Sequence, residues 1–596
     1  MNSTLLFSSL DRVFHASECL SYVKSIYESD HWFSFSSFQK TSRFCAAALR
    51  DAGLSQVEQL PLSADGKTRY GDWVIPQAWD AKRAVLRTEQ GEVLADYEKI
   101  PCSLVMYSAP TPVEGITAEV VLIPGSALES LSSEGLLKGK LLFTDCPARD
   151  AAPYALKNGA VGILTDFIPL YPGVRESRRD LYGESRWEND FILPKNETGL
   201  FAFSLSPEKG DFLRSLLAKG PVWLTAEVET SFYNGSCDTI SAALMGTDPS
   251  LPEVMAYGHL YEPGANDNAS GCGVLLELAK VLNHAVSQGI LPRPRRTIRF
   301  IMGYECTGSM GYLASHPERR ALCCAVADMV GTEDIDRTHL TLWHNPLSNW
   351  SFTDAAILAV NRLYQEYAGA SHPWEERPFT VGSDNIIGDP IFRIPTTAMI
   401  TEPALSYHSS LDHPGRIDPA ILKRDGMILG AFLYTMADAG AQTARFLEEE
   451  LLKMGESWQR EPDVPLKKKE QLSAALGRAL ASLKELDPSR PSSPALSRTD
   501  AVSPPKGGER IPCRLVPGCL TFYGCPWTEQ PPWKPAWSDE WNLPLFWADG
   551  KRNLWNIAVQ TSLELGEYSD KEIAARFERL LPYFEFLAKH RYIAWK

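Results

Sequence analysis

Apolar residues recur in two rhythms along this chain, and the change of rhythm divides it. FQKTSRFCAAALRDAGL (38–54) spaces them as a helix does and stops at a glycine, which predicts an amphipathic helix. GDWVIPQAWDAKRAVL (71–86) holds too many β-formers and prolines for a helix and predicts extended structure. From about 101 to 235 short strands are punctuated by Pro and Gly. There LKGKLLFTDC (137–146) predicts a strand after a turn, and APYALKNGAVGILTD (152–166) a helix, a Gly turn and a buried strand. Strands and helices alternate through 236–440: EVMAYGHL, SGCGVLLELAKVLNHA, RTIRFIMG, the LCCAVADM run, ILAVNRLYQEYAG, TTAMI and a helix over about 419–438. Such alternation predicts an α/β fold, a mixed and mostly parallel sheet flanked by helices.

Beyond 455 the pattern weakens. KKKEQLSAALGRALASLKEL (467–486) has helical spacing, whereas DPSRPSSPALSRTDAVSPPKGGER (487–510) is rich in Pro and Ser and is expected to be mobile. The last stretch, from about 540, predicts three helices and a terminal strand, the composition of a winged helix. The expected division is 1–100, 101–235, 236–455, a partly disordered linker over 456–512, and a winged-helix-like unit over 513–596.

Composition narrows the function. A chain of 596 residues exceeds one hydrophobic core. Its formal net charge of −15 argues against a large phosphate-binding surface, and the terminal unit shows no basic stripe, so no nucleic-acid partner is expected. No apolar run reaches membrane-spanning length, and the first residues lack a basic region before an apolar one. The 12 cysteines form no CxxC pair or dense framework, as in a reducing compartment. A cytoplasmic protein without membrane contact is expected. Homo-oligomerisation, packing and peptide recognition are all open roles for the terminal unit.

The chemistry concentrates where the alternation is strongest. His259 follows EVMAYG, Glu305 follows TIRFIMGY, Asp328 ends the LCCAVA run, and His408 comes shortly after TTAMI. Ligands bind at the carboxyl ends of strands in open α/β sheets, so these four residues are expected at one edge. Imidazole and carboxylate are the usual donors of catalytic zinc. Asp267 lies in the turn PGANDNASG (263–271), near His259, and a carboxylate there can bridge two ions. Asn268 or Ser270 is expected to cap the following helix. Glu305 would take a proton from attacking water and pass it to the leaving amine.

GHLYEPGANDNASG, YECTGSMGY, ADMVG, SDN and YHSSLD, in this order, resemble the co-catalytic zinc aminopeptidases, a family that also holds glutamate carboxypeptidases and glutaminyl cyclases. The resemblance implies that His259 and Asp328 hold one zinc, His408 the other, with Asp267 bridging and Glu305 as base. LKGKLLFTDC…ALKNGAVGILTD resembles the protease-associated domain inserted in that family, here over 101–235. Three positions depart from the pattern. Cys306 replaces the second Glu of a Glu-Glu pair, Tyr261 an orienting Asp, and Asn266 the first Asp of a pair. A thiolate ligates zinc, so Cys306 is either a softer ligand or a buried thiol beside a single-metal site. Asp384, in an SD motif, is expected to bind substrate or position a loop. Tyr407 is expected either to hydrogen-bond an oxyanion or to pack.

The expected function is zinc-dependent exopeptidase activity with one or two ions, acting on a peptide substrate from its N-terminus. A single-zinc glutaminyl cyclase, a carboxypeptidase and a peptide-binding protein without catalysis are the alternatives.

Overall fold

The computed structural model describes residues 3–130, 135–188, 199–490, 504–523 and 531–596. Eight strands form the main sheet: β1 (Ser55–Ala64), β2 (Gly235–Leu244), β3 (Glu253–Leu260), β4 (Ile298–Tyr304), β5 (Ala321–Asp328), β6 (Leu340–Trp343), β7 (Trp374–Arg377) and β8 (Thr396–Ile400). Their spatial order is β1-β2-β4-β3-β5-β8-β6-β7. The central strands β4, β3, β5 and β8 run parallel, while β1 and β2, β2 and β4, and β8 and β6 pair antiparallel. Sequence explains the centre: β3 and β5 are buried at every position after the first, as continuous apolar runs covered on both faces require.

Helices Ala269–Ser287 and Pro419–Asp438 cover one face, and Ala16–Asp30 packs on both of them. The first of these is apolar almost all round and accordingly deeply buried. The other face is covered by helix Thr307–Ser315 and by the C-terminal residues: Met255, Tyr257, Cys324 and Val326 of the sheet share a core with Cys519, Leu543 and Phe546.

A second, seven-stranded sheet runs Val93–Asp96, Ala78–Thr88, Trp223–Tyr233, Ile116–Leu122, Leu141–Thr144, Gly162–Thr165, Phe201–Ser204, its last four strands parallel. It takes in two strands from before residue 101, so the boundary expected there runs through a sheet. The rhythm of 71–86 signals extension and says nothing about which sheet receives it.

The C-terminal unit contains helices Asp539–Trp547, Leu554–Glu564 and Asp570–Lys589, with Ile593–Trp595 paired antiparallel to Pro512–Arg514. The stretch expected to be a linker from 456 is largely helical. Ala441–Arg460 and Leu466–Ser482 pack together, and Gln471 Nε2 donates to the Gln560 carbonyl at 2.8 Å. Residues 491–503 of the stretch expected to be mobile, and Cys525, lie outside the described residues. Every described cysteine is a free thiol, and among the described residues no helix is long and apolar enough to cross a membrane.

A buried ion pair ties the C-terminal unit to the main body. Arg514 donates to both Asp389 oxygens, at 2.6 and 2.8 Å, with the carboxylate fully buried. Arg514→Ala would leave that charge unpaired, so a loss of about 3–5 kcal/mol is expected. It should appear as a lower melting temperature, and adding Asp389→Ala should restore part of the loss.

Candidate metal centre

Register brings the ends of the parallel strands together. His259 of β3 lies opposite Gly303 of β4, and Asp328 of β5 opposite Ile400 of β8. His259 Nε2 is 3.2 Å from Asp328 Oδ1 and 3.6 Å from Asp267 Oδ1. The second Asp267 oxygen lies 3.3 Å from His408 Nε2. The two imidazoles therefore approach opposite oxygens of one carboxylate.

The turn carrying Asp267 is fixed from three sides. Asp412 accepts from the Asn266 and Asp267 N–H groups at 2.7 and 3.0 Å. Asn266 Oδ1 accepts from Gly331 N–H at 3.0 Å. Asn268 caps the following helix by accepting from Gly271 N–H at 2.9 Å, while its amide donates to the Ala327 carbonyl at 2.9 Å. This contact needs a glycine at 271, where a Cβ would meet the Ala327 oxygen at 2.2 Å. Of the non-glycine residues with positive φ, Tyr261, Cys306, Met329 and His408 (φ 53° to 75°) adjoin or belong to the site, a concentration of backbone strain typical of working sites.

Two groups of metal-ligating side chains result. His259, Asp267 and Asp328 form one, and Glu262, Asp267 and His408 the other, each with donor atoms within 4.8 Å of one another. Glu262 escaped the reading of the sequence. It lies three residues beyond His259, and its Oε2 is 3.8 Å from His259 Nδ1. A carboxylate just past an apolar strand was the available signal.

Electrostatics suits a cation. Burial, then the charges of Asp267 and Glu305, push Glu262 well above the usual carboxylate range, and it hydrogen-bonds Asp267. Burial opposes ionisation of Asp267 too, but the hydrogen bond and charge of His408, with His259, hold it below its ordinary value. Glu305 is raised strongly by burial; His259 opposes the rise, and Asp384, Asp328 and Asp267 add to it. So many enclosed carboxylates repel one another unless positive charge joins them, and the mixed nitrogen and oxygen donors fit zinc.

The remaining expected residues divide. Cys306 is fully buried beside Tyr257 and Met310 and belongs to neither donor group, so the thiol faces the core beneath the site. Asp384 is fully buried as well. Its Oδ1 accepts from Cys306 N–H at 2.8 Å and from the Ser309 hydroxyl at 2.6 Å, which braces the Glu305–Cys306 turn. Neighbouring Ser383 donates to Asp328 Oδ2 at 2.7 Å. Tyr261 sits in the scaffold, its N–H donating to Asp30 at 2.8 Å. The Tyr407 ring lies tilted against His408, with centroids 3.8 Å apart. Trp187 stacks on the same imidazole at 3.9 Å, and the Trp187 backbone N–H donates to the His408 carbonyl at 3.1 Å. Ser185 and Ser410 add a backbone hydrogen bond of 2.8 Å.

Residues 239–433 match the model of Peptidase family M28. No curated protein matches the chain. Among solved structures, a Peptidase M28 precursor from Shewanella amazonensis is similar at 17% identity and TM-score 0.53, over 74% of this chain and 97% of that one. BSAP, a zinc aminopeptidase from Bacillus subtilis, gives 19% and 0.50, over 71% and 96%. A candidate peptidase from Clostridium acetobutylicum gives 14% and 0.50, over 99% of this chain and 98% of its own. These likenesses establish the fold, and the last runs through the C-terminal unit.

Trp187→Ala removes the ring that stacks on His408. Side chains that orient a ligand are typically worth about 10- to 100-fold in metal affinity. The variant should release zinc to a competing chelator at a correspondingly lower chelator concentration than the parent protein does.

Proposed function

Because residues 239–433 carry a Peptidase family M28 domain, we propose that the chain is a zinc-dependent aminopeptidase. The observation that carries this reading is the sharing of Asp267 between two imidazole-containing donor groups, with the Glu305 carboxyl close enough for its charge to act on both. Zinc, when bound, supplies a Lewis acid that lets water attack a peptide carbonyl at neutral pH. His259, Asp267 and Asp328 would hold such an ion.

Glu305 is the general base. It receives the proton of the attacking water and delivers it to the amine that leaves. Asp384 and Ser309 keep the turn behind it fixed, since Asp384 Oδ1 joins Cys306 N–H and the Ser309 hydroxyl.

Glu402 favours an N-terminal over a C-terminal substrate group. It follows β8 and keeps part of its surface open; burial, then the charges of Asp328 and Asp267, push it up to about 7. A carboxylate in that setting is stabilised by a cationic partner, and the α-ammonium of a peptide supplies one. A C-terminal carboxylate would meet repulsion.

Glu305→Gln is expected to lower release of N-terminal residues from a peptide library by about 100- to 10,000-fold. Zinc content should stay unchanged, and chelation of the parent protein should abolish the same release. Full activity of Glu305→Gln would remove the base from the mechanism. Glu402→Gln should raise KM for peptides with a free N-terminus about tenfold, the equivalent of ~1.4 kcal/mol, with kcat little altered. An unchanged KM would leave the amine without this anchor.

A further inference from the structure

The resemblance in the sequence leaves Cys306 either a softer ligand of a second ion or a buried thiol, and the arrangement of the side chains favours the thiol. Its thiol is fully buried among Tyr257, Met310 and Ile386 and joins no group of three donors among the described residues. Its backbone faces a different task, donating to Asp384 Oδ1 at 2.8 Å. Asp267 forms a second donor group with Glu262 and His408. Glu262 is itself 5% exposed, and its carboxyl hydrogen-bonds the carboxylate of Asp267. Two such groups pressed together inside a protein repel when both are ionised, and a divalent cation between them removes that repulsion.

We propose that Glu262, and not Cys306, is the chain's own ligand for a second divalent cation, shared through Asp267 and completed by His408. The assignment rests on the metallopeptidase reading above and deepens it. It gives the second site hard oxygen donors and one imidazole, with no thiolate. Such a site suits zinc and also manganese or cobalt, whereas a thiolate would narrow the choice towards softer ions. The thiol at 306 is left a core residue.

The test is metal content measured on the full chain. Protein loaded with zinc and then dialysed against metal-free buffer is analysed for zinc per chain by mass spectrometry. Two ions are expected for the parent protein, one for Glu262→Gln and two for Cys306→Ser. The cobalt-loaded parent protein should lack the near-ultraviolet absorption of a thiolate-to-cobalt bond, a reading that needs no variant to fold. Two ions in Glu262→Gln, one ion in Cys306→Ser or in the parent protein, or a thiolate band in the cobalt form would each overturn the assignment. A parent protein that retains no ion would overturn the metallopeptidase reading itself.

Discussion

The carboxylate of Asp267 is the point on which the centre turns, because its two oxygens face two imidazoles that reach it from distant parts of the chain. His259 comes from the end of β3 and His408 from the loop after β8, at 3.6 and 3.3 Å. A side chain with this double duty tolerates little movement. Its backbone is accordingly held by hydrogen bonds that also set its neighbours. Asp412 takes the N–H groups of Asn266 and Asp267, Asn268 reaches the carbonyl of Ala327, and Asn266 takes the N–H of Gly331. Ala327 precedes Asp328, so the carboxylates of Asp267 and Asp328 are positioned by one network. Burial, despite those two N–H groups, pushes Asp412 up to about 8, and the nearby Asp267 charge adds to the rise. The network is thus bought with desolvated carboxyl groups, a cost that a cation at the centre offsets.

The same constraint explains why so much chain surrounds a domain of modest size. The His408 loop is clamped by residues 185–187 from the unit containing the second sheet, through stacking and backbone pairing. The loop with Ser383 and Asp384 is clamped from the opposite side by the C-terminal unit. Asp539 accepts from Val381 N–H and from the Thr380 hydroxyl, and Arg514 grips Asp389. Each clamp acts on a loop that touches a donor or the base through one further residue. Ligands carried on loops gain from such support, since loops alone hold a geometry less well than strands do.

What the sequence made legible follows from local rules. Apolar runs ending in a polar residue located His259, Glu305 and Asp328 at strand ends, and the Gly- and Asn-rich turn located Asp267. The parallel centre of the sheet then carried them to one edge. Contacts that depend on chain far away were not legible. Trp187 and His408 meet across 221 positions of sequence, and nothing near either signals the other. Glu262 was hidden by the backbone: with Tyr261 at φ 75°, the chain leaves the strand and sets residue 262 beside His259. Asp384 matched a motif, but only packing could reveal that its carboxylate points beneath the Glu305 turn. The helical spacing of 467–486 was legible, but the packing of that helix on Ala441–Arg460 and on the C-terminal unit was not.

The departures from the family pattern are related through charge. A carboxylate is absent at 306, where a neutral thiol enters the core, and a carboxylate is present at 262, beside the oxygen of Asp267 that faces His408. A divalent cation responds to the charge and reach of its donors, and it is indifferent to which strand end supplies them. The turn at 305–306 is held by Asp384, whose Oδ1 accepts from Cys306 N–H. A centre can keep its electrostatic balance while its ligand changes place in the sequence, and motif matching at fixed positions then records a loss that the folded chain has not suffered.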